Sequence, residues 1–345
     1  MLSPVRFLAI SFAAALAVFA AAWIWIAAVP LAFMDPEYPY WLAKQRLLAA
    51  CDLGDLLIVG DSRAAVDIIP AHLDIRATNL AIGGGQAVEA FVTVARAMQC
   101  PVLPKRVIVS IDLTHFVQPD LFWERSVRYG LVGGGPLREV LNNAARLGDA
   151  SVLAPHHNDH LPPLLRAWLV GIRFPPLYFN ALLKGGVLLR WQRNQAALAE
   201  GIASRGQYFF GRGAGSVAPA SEMRLNRFVP LPVQNDYFDR MLALLQSRGI
   251  PVLFVAMPIN AATKAAVKPG IERDFAAYLD AFAARYPGFQ VTGQLLTVWP
   301  DRFFGDDFGH LNPLGAARFS AGFSRLLQET RAQSPATAGE RISAR

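Results

Sequence analysis

Ser62, Asp307 and His310 are far apart in the chain, yet their types and settings suit nucleophilic catalysis. Ser62 stands in Gly60-Asp61-Ser62-Arg63, directly after the apolar run Leu56-Leu57-Ile58-Val59. Such a run reads as a strand buried on both faces of a parallel sheet. A serine on the turn leaving that strand lies at the carboxyl edge of the sheet, where open α/β folds place their sites. A serine hydroxyl is a weak nucleophile until a base removes its proton, and an imidazole base needs an acceptor that holds its ring in one tautomer. The segment Asp307-Phe308-Gly309-His310 offers such a pair, three residues apart, followed by Leu311-Asn312-Pro313. The expectation is Ser62 as nucleophile, His310 as base and Asp307 as orienter, with acyl transfer through an acyl-serine as the chemistry. Asp306 lacks the spacing. Asp61 is expected to fix the turn through nearby backbone. Arg63 either binds a substrate carboxylate or faces a carboxylate of the fold. Asn312 suits the cap of a helix starting near Pro313.

The elements that must position these residues alternate. A short helix is expected over 40–50, strands at 56–59, 78–82 and 107–111, and a helix over 87–98. After a long interruption the pattern resumes with a helix over 236–248 that stops at Gly249, a strand at 252–256, a helix over 272–285, a strand at 289–291 and a closing helix over 313–330. Residues 331–345 are polar and rich in Ala and Arg, and read as a disordered tail.

Gly60-Asp61-Ser62 after a first strand, Asn79-Leu80-Ala81-Ile82-Gly83-Gly84-Gly85 after a second, and the late Asp307/His310 pair resemble, in that order, the SGNH (GDSL) hydrolase superfamily. The resemblance covers about residues 52–115 and 235–328. It implies a three-layer α/β/α, flavodoxin-like fold with a mostly parallel sheet, and no cofactor. It also implies an oxyanion hole made by the Ser62 N–H and a glycine N–H of the second block, by position Gly84, with Gly83 or Gly85 as alternates. The asparagine that the family's third block usually supplies is absent from Val107–His115. Membrane-anchored relatives that modify polymers, such as the D-alanyl transfer proteins of teichoic acid synthesis, also often lack it. Losing one oxyanion donor costs about 100- to 1000-fold in rate. Either Thr114 or Asn260 substitutes, or the hole rests on backbone N–H groups.

The chain has 345 residues, 53% hydrophobic and 17% charged, with a formal net charge of +7. Much of the apolar excess lies in the uncharged run Phe7–Phe33, long enough to span a bilayer, with Arg6 before it and Asp35 and Glu37 after it. The expectation is an anchor over residues 1–35 with its N-terminus in the cytoplasm and a catalytic domain over 36–330 outside, in the periplasm of an inner membrane. A cleaved signal peptide is the alternative, although its apolar region is usually only about 7–15 residues. Cys51 and Cys100 are the only cysteines. They suit a disulfide in an oxidising compartment or two buried thiols, and they lack zinc-site spacing.

Residues 121–235 read as an insertion carrying 13 basic and 6 acidic residues, a surplus equal to the whole chain's net charge. Segments such as Leu164-Leu165-Arg166-Ala167-Trp168-Leu169 can lie on an anionic bilayer, grip an anionic polymer, or form a lid whose arginines face water. His156-His157-Asn158-Asp159-His160 lacks a helical frame and reads as a surface loop rather than a metal site, and His72 and His115 as non-catalytic. Gly133-Gly134-Gly135 lacks the lysine and context of a phosphate loop. No nucleic-acid motif is present. The resulting expectation is an esterase or O-acyltransferase, most simply for acetyl groups, on a cell-surface or secreted polysaccharide. Its partners would be that polymer, the bilayer, and a membrane-bound O-acyltransferase or polysaccharide synthase complex. A non-catalytic scaffold and a membrane-lying lipid esterase are the rivals.

Overall fold

A computed structural model describes residues 3–118, 121–153, 161–171, 176–213, 215–220, 225–305 and 309–333. Helix α1 (Pro4–Ala28) is followed by α2 (Tyr38–Ala49), β1 (Leu56–Gly60), α3 (Ser62–Asp67), β2 (Ala77–Asn79), α4 (Ala87–Ala97), β3 (Arg106–Ser110) and α5 (Leu113–Val117). A π-helical turn, Phe122–Val127, leads into α6 (Gly134–Arg146), α7 (Ala150–Leu153), α8 (Pro163–Gly171), α9 (Pro176–Leu183) and α10 (Val187–Ala203). Then come α11 (Pro232–Ser247), β4 (Val252–Val255), α12 (Ala261–Ala266), α13 (Ile271–Arg285), β5 (Phe289–Thr292) and α14 (Pro313–Gln333).

The five strands form one sheet in the order β2-β1-β3-β4-β5, every pair parallel. This is one of the two common doubly wound orders, and its topological switch point lies between β1 and β3. Strands this apolar need cover on both sides, and they have it. Leu57, Val59, Val107, Val109 and Phe254 point to one face and pack under α2, α4, α11 and α13. Leu56, Ile58, Ile108, Leu253 and Val255 point to the other, under α3 and α14. Cys51, just after α2, and Cys100, just after α4, are joined in a disulfide with their Cα atoms 5.5 Å apart.

The N-terminal apolar run divides in two. Helix α1 is long and apolar enough to cross a membrane, with a mean hydropathy of 2.3 over Pro4–Trp25 and none of that window buried. At 1.5 Å per residue its 25 residues extend about 37 Å, against a hydrocarbon core of about 30 Å. Leu31, Ala32, Phe33 and Met34, expected in the anchor, are instead buried in the domain. Asn194 Nδ2 donates to Leu31 O (2.9 Å) and Met34 O (3.1 Å), and Arg190 Nη1 donates to Phe33 O (3.0 Å).

The expected insertion is helical. Its last residues belong to α11, which packs on α4 as part of the layered core. Gly133-Gly134-Gly135 opens α6. Helix α14 runs three residues into the expected tail, and residues 334–345 lie outside the described residues, as does the histidine cluster at 156–160.

Candidate functional site

Strand β1 ends at the switch point. Gly60, at a positive φ of 144°, is required there: a Cβ on it would stand 1.7 Å from Ser110 O of β3. Asp61 then caps α3, its Oδ1 accepting from Arg63 N (2.9 Å) and Ala64 N (3.5 Å). Its Oδ2 accepts from Asp112 N (2.5 Å) and lies 3.2 Å from His115 Nδ1. Asp61 thus acts on backbone, as expected, and ties the ends of β1 and β3 together. Ser62 is the first residue of α3 and stays partly exposed.

Arg63 pairs with a carboxylate of the fold. Its Nη1 is 3.0 Å from Asp112 Oδ2, with both side chains buried. Of the two roles read for it, this geometry is the one that faces a carboxylate of the fold.

The second block lies against the same strand end. Leu80 N donates to Ile58 O (2.8 Å), Ile82 N to Gly60 O (3.0 Å), and a Cβ on Gly85 would stand 2.3 Å from Gly60 O. Asn79 Nδ2 donates to Ala64 O (2.7 Å) and Ile68 O (2.9 Å), pinning α3 to this block. Gly84 has a positive φ of 68°, which its missing Cβ permits. Among the described residues the amide N–H groups of Ser62 and Gly84 make no hydrogen bond, so both are available to an oxyanion.

Thr114 and Asn260 are not. The Thr114 hydroxyl donates to Asp112 Oδ1 (2.5 Å), and Asn260 Nδ2 donates to Ala218 O (2.7 Å) and Ser216 O (3.4 Å) while its Oδ1 caps α12. Neither side chain has a donor left for the hole.

His310 sits on a loop closed by Gly305 N donating to His310 O (2.9 Å) and by an antiparallel bridge between Phe304 and Leu311. The residues on both sides of it touch α3. A Cβ on Gly309 would stand 3.5 Å from Arg63 Nε, and Leu311 N donates to Asp67 Oδ1 (3.0 Å). Asn312 caps α14 through Gly315 N (2.9 Å) and donates to Arg302 O and Phe304 O. Asp307 and Asp306 lie outside the described residues. His72 is exposed in the 70–72 turn, and His115 is the partner of Asp61.

Beside His310 a cavity of about 700 Å³ opens. Phe210 lines it, and that ring lies 4.7 Å from the His310 ring, centroid to centroid. The Tyr40 and Tyr208 rings stack at 4.3 Å. Arg125, Arg128 and Arg193 also line the cavity. Arg125 Nη2 is paired with Glu37 Oε2 at 3.0 Å, whereas the side chains of Arg128 and Arg193 make no ion pair or hydrogen bond among the described residues.

Glu37 joins this cavity to the glycine block. A Cβ on Gly83 would stand 1.8 Å from Glu37 Oε1, so no larger residue fits while that carboxyl stays in place. Burial raises the Glu37 pKa, and Arg125 partly offsets that. Below it Lys44 is fully buried, donates to Asn79 O (3.1 Å) and lies over the Tyr208 ring. Burial lowers its pKa to about 7, Glu37 opposing the shift.

Sequence reasoning missed Asp112 as the Arg63 partner, Asp67 as the anchor of the His310 loop, and the cavity walls. Asp112 had a signal, a charged residue at the end of an apolar strand. Glu37, Arg125 and Phe210 had none, because they meet only in the folded chain. No protein-family model matches the chain, and no curated protein shows significant similarity to it.

Proposed function

We propose that this chain is a serine-dependent acyl-transfer enzyme of the SGNH type, held at the membrane by α1 with its domain on the outer side. Ser62 Oγ attacks the carbonyl carbon of an acyl ester while His310 takes its proton. The tetrahedral oxyanion is received by the Ser62 and Gly84 N–H groups. Collapse breaks the ester bond, and His310 returns the proton to the leaving alcohol, which leaves acyl-Ser62. Water or a sugar hydroxyl then attacks that ester, losing its proton to His310, and collapse breaks the bond from the acyl carbon to Ser62 Oγ as His310 returns the proton to that oxygen. Asp307 is assigned as orienter by spacing alone.

The observation that most supports this reading is the double tie between the His310 loop and the Ser62 helix, through Gly309 against Arg63 and Leu311 on Asp67. The backbone amides of Ser62 and Gly84 then serve as the oxyanion hole in place of the missing asparagine.

The acceptor that fits the 700 Å³ cavity is a sugar chain bearing carboxylate or phosphate. The half-buried Tyr40 ring, backed by Tyr208, offers one apolar face of pyranose size, and the Arg128 and Arg193 side chains offer two cations. An acetyl group on a cell-surface or secreted polysaccharide is the simplest cargo, and a membrane-bound acyltransferase or polysaccharide synthase complex the partner that would supply it. The scaffold reading keeps one observation in its favour, the commitment of Thr114 and Asn260 to the fold.

Intact-mass labelling of the full-length protein with a fluorophosphonate, beside Ser62→Ala and His310→Ala, tests the proposal. The expected result is one adduct, absent in Ser62→Ala and slowed on the order of a thousandfold or more in His310→Ala. A folded wild-type protein that takes no adduct would overturn it in favour of the scaffold.

A further inference from the structure

We propose that helices α8 and α9 form a second membrane contact, their outward faces resting among anionic phospholipid headgroups beside the end of α1. A helix on a soluble domain turns its apolar stripe inward. These two do the reverse. In α8 the exposed residues are Leu164, Leu165, Trp168 (63%) and Leu169, while Arg166 is buried against the Trp123 ring. In α9 the exposed apolar residues are Phe179, Leu182 and Leu183 (86%), flanked by the exposed Asn180, while Ala181 is 2% exposed on the opposite side. Each set follows the spacing of one helical face, so each helix presents a continuous apolar stripe to its surroundings.

Position in the fold says what covers the α9 stripe; α8 packs on the 122–127 turn. Helix α1 ends at Ala28, and Leu31 is already buried in the domain. Three residue steps reach at most about 10 Å. The domain is therefore seated directly on the bilayer surface rather than held away on a linker. Helix α9 meets that junction: Tyr178 packs edge-on against Phe33, ring centroids 5.9 Å apart, and α10, which follows α9, packs on the 30–32 turn. A headgroup layer is roughly 5–8 Å deep on each side of the hydrocarbon core, so α9 is level with it. Interfacial helices bury an apolar face at this depth and carry basic residues around it. From Leu161 to Leu198 the chain contains no acidic residue; of its basic residues Lys184 and Arg193 are exposed, whereas Arg166 is buried and Arg190 holds Phe33 O. That composition complements anionic lipid. The inference rests on α1 spanning the bilayer and not on chemistry at Ser62.

The native cysteines are paired, so single cysteines can be introduced and labelled with an environment-sensitive fluorophore. The full-length protein would carry Trp168→Cys, Leu183→Cys or Val102→Cys and be placed in nanodiscs of phosphatidylcholine and phosphatidylglycerol, some lipids bearing a nitroxide near the headgroup. Val102, 71% exposed, lies two residues after Cys100, which the disulfide holds near the far end of α2. Discs in which a Phe12→Cys label in α1 is quenched certify insertion. The expected result is several-fold stronger quenching at 168 and at 183 than at 102, with a blue-shifted emission. Quenching at either position no greater than at 102 overturns the proposal and leaves that face to water or to a protein partner.

Discussion

Arg63, next to the candidate nucleophile, is ion-paired at 3.0 Å with Asp112, the residue two beyond the end of β3. Asp112 also gives its backbone N–H to Asp61, so one residue binds both neighbours of Ser62. The pair closes the switch point of the sheet and holds the turn on which the serine rides.

Removing one member leaves a buried charge without its partner, a loss of about 3–5 kcal/mol. Asp112→Ala is expected to destabilise the protein by that amount in urea unfolding, and Arg63→Met with Asp112→Leu to recover most of it. A loss below about 1 kcal/mol for Asp112→Ala would mean that the pair behaves as a surface bridge.

Lys44 makes stability depend on pH. Burial lowers its folded pKa to about 7, below the unfolded value. Between the two values the unfolded chain holds a proton that the folded chain lacks, so the stability contributed by Lys44 rises with pH above about 7 and is lost as pH falls toward it. Glu37, raised by burial, has the opposite sign and acts above pH 4.5, its ordinary value. Lys44→Met is expected to remove up to about 1.4 kcal/mol per pH unit of slope across the alkaline window. Unfolding free energies measured between pH 7 and 10 check this, and unchanged slopes would place the titration elsewhere.

The Cys51–Cys100 disulfide closes a loop with a sequence separation of 49. Loop-closure entropy assigns such a bond about 4 kcal/mol. Reduction, or Cys51→Ser with Cys100→Ser, is expected to lower the unfolding free energy by about 2–4 kcal/mol, read as a drop in Tm. No shift would mean that the unfolded chain is already restricted near this pair.

Arg128 and Arg193 should select anionic glycans. Each charge-assisted contact contributes about 1.5–3 kcal/mol, so Arg128→Ala and Arg193→Ala should each weaken binding of a uronate oligosaccharide on the order of tenfold to a hundredfold. Titration calorimetry with Ser62→Ala as the background keeps binding apart from turnover. Binding of neutral and charged oligosaccharides with equal affinity would remove the cavity as the anionic subsite.

Much of the frame was legible locally. The run Leu56–Val59 reads as a buried strand because four apolar residues in succession suit only an element covered on both faces, and β1 is such a strand. The resumed pattern after 235 reads correctly in type, with α11, β4, α13 and β5 in the expected order. The capping roles of Asp61 and Asn312 follow from short-range chemistry, an oxygen acceptor within a few residues of unsatisfied N–H groups. Boundaries were less legible. The apolar run to Phe33 is uniform in hydropathy, and hydropathy does not distinguish lipid from a protein core.

The amino-acid sequence by itself therefore determined the parallel α/β frame, the turn that carries Ser62 and the presence of a helix long enough to cross a bilayer, because each depends on residues within one element or one turn. Tertiary structure alone decided that Arg63 faces Asp112, that Thr114 and Asn260 spend their donors inside the fold, that Glu37 lies under Gly83, and that Phe210 walls His310. These partners stand 2 to 100 residues apart. Where the separation is long, local periodicity carries no information about which groups meet, and where it is short, the choice between partners is made by burial, which depends on every element packed around the sheet.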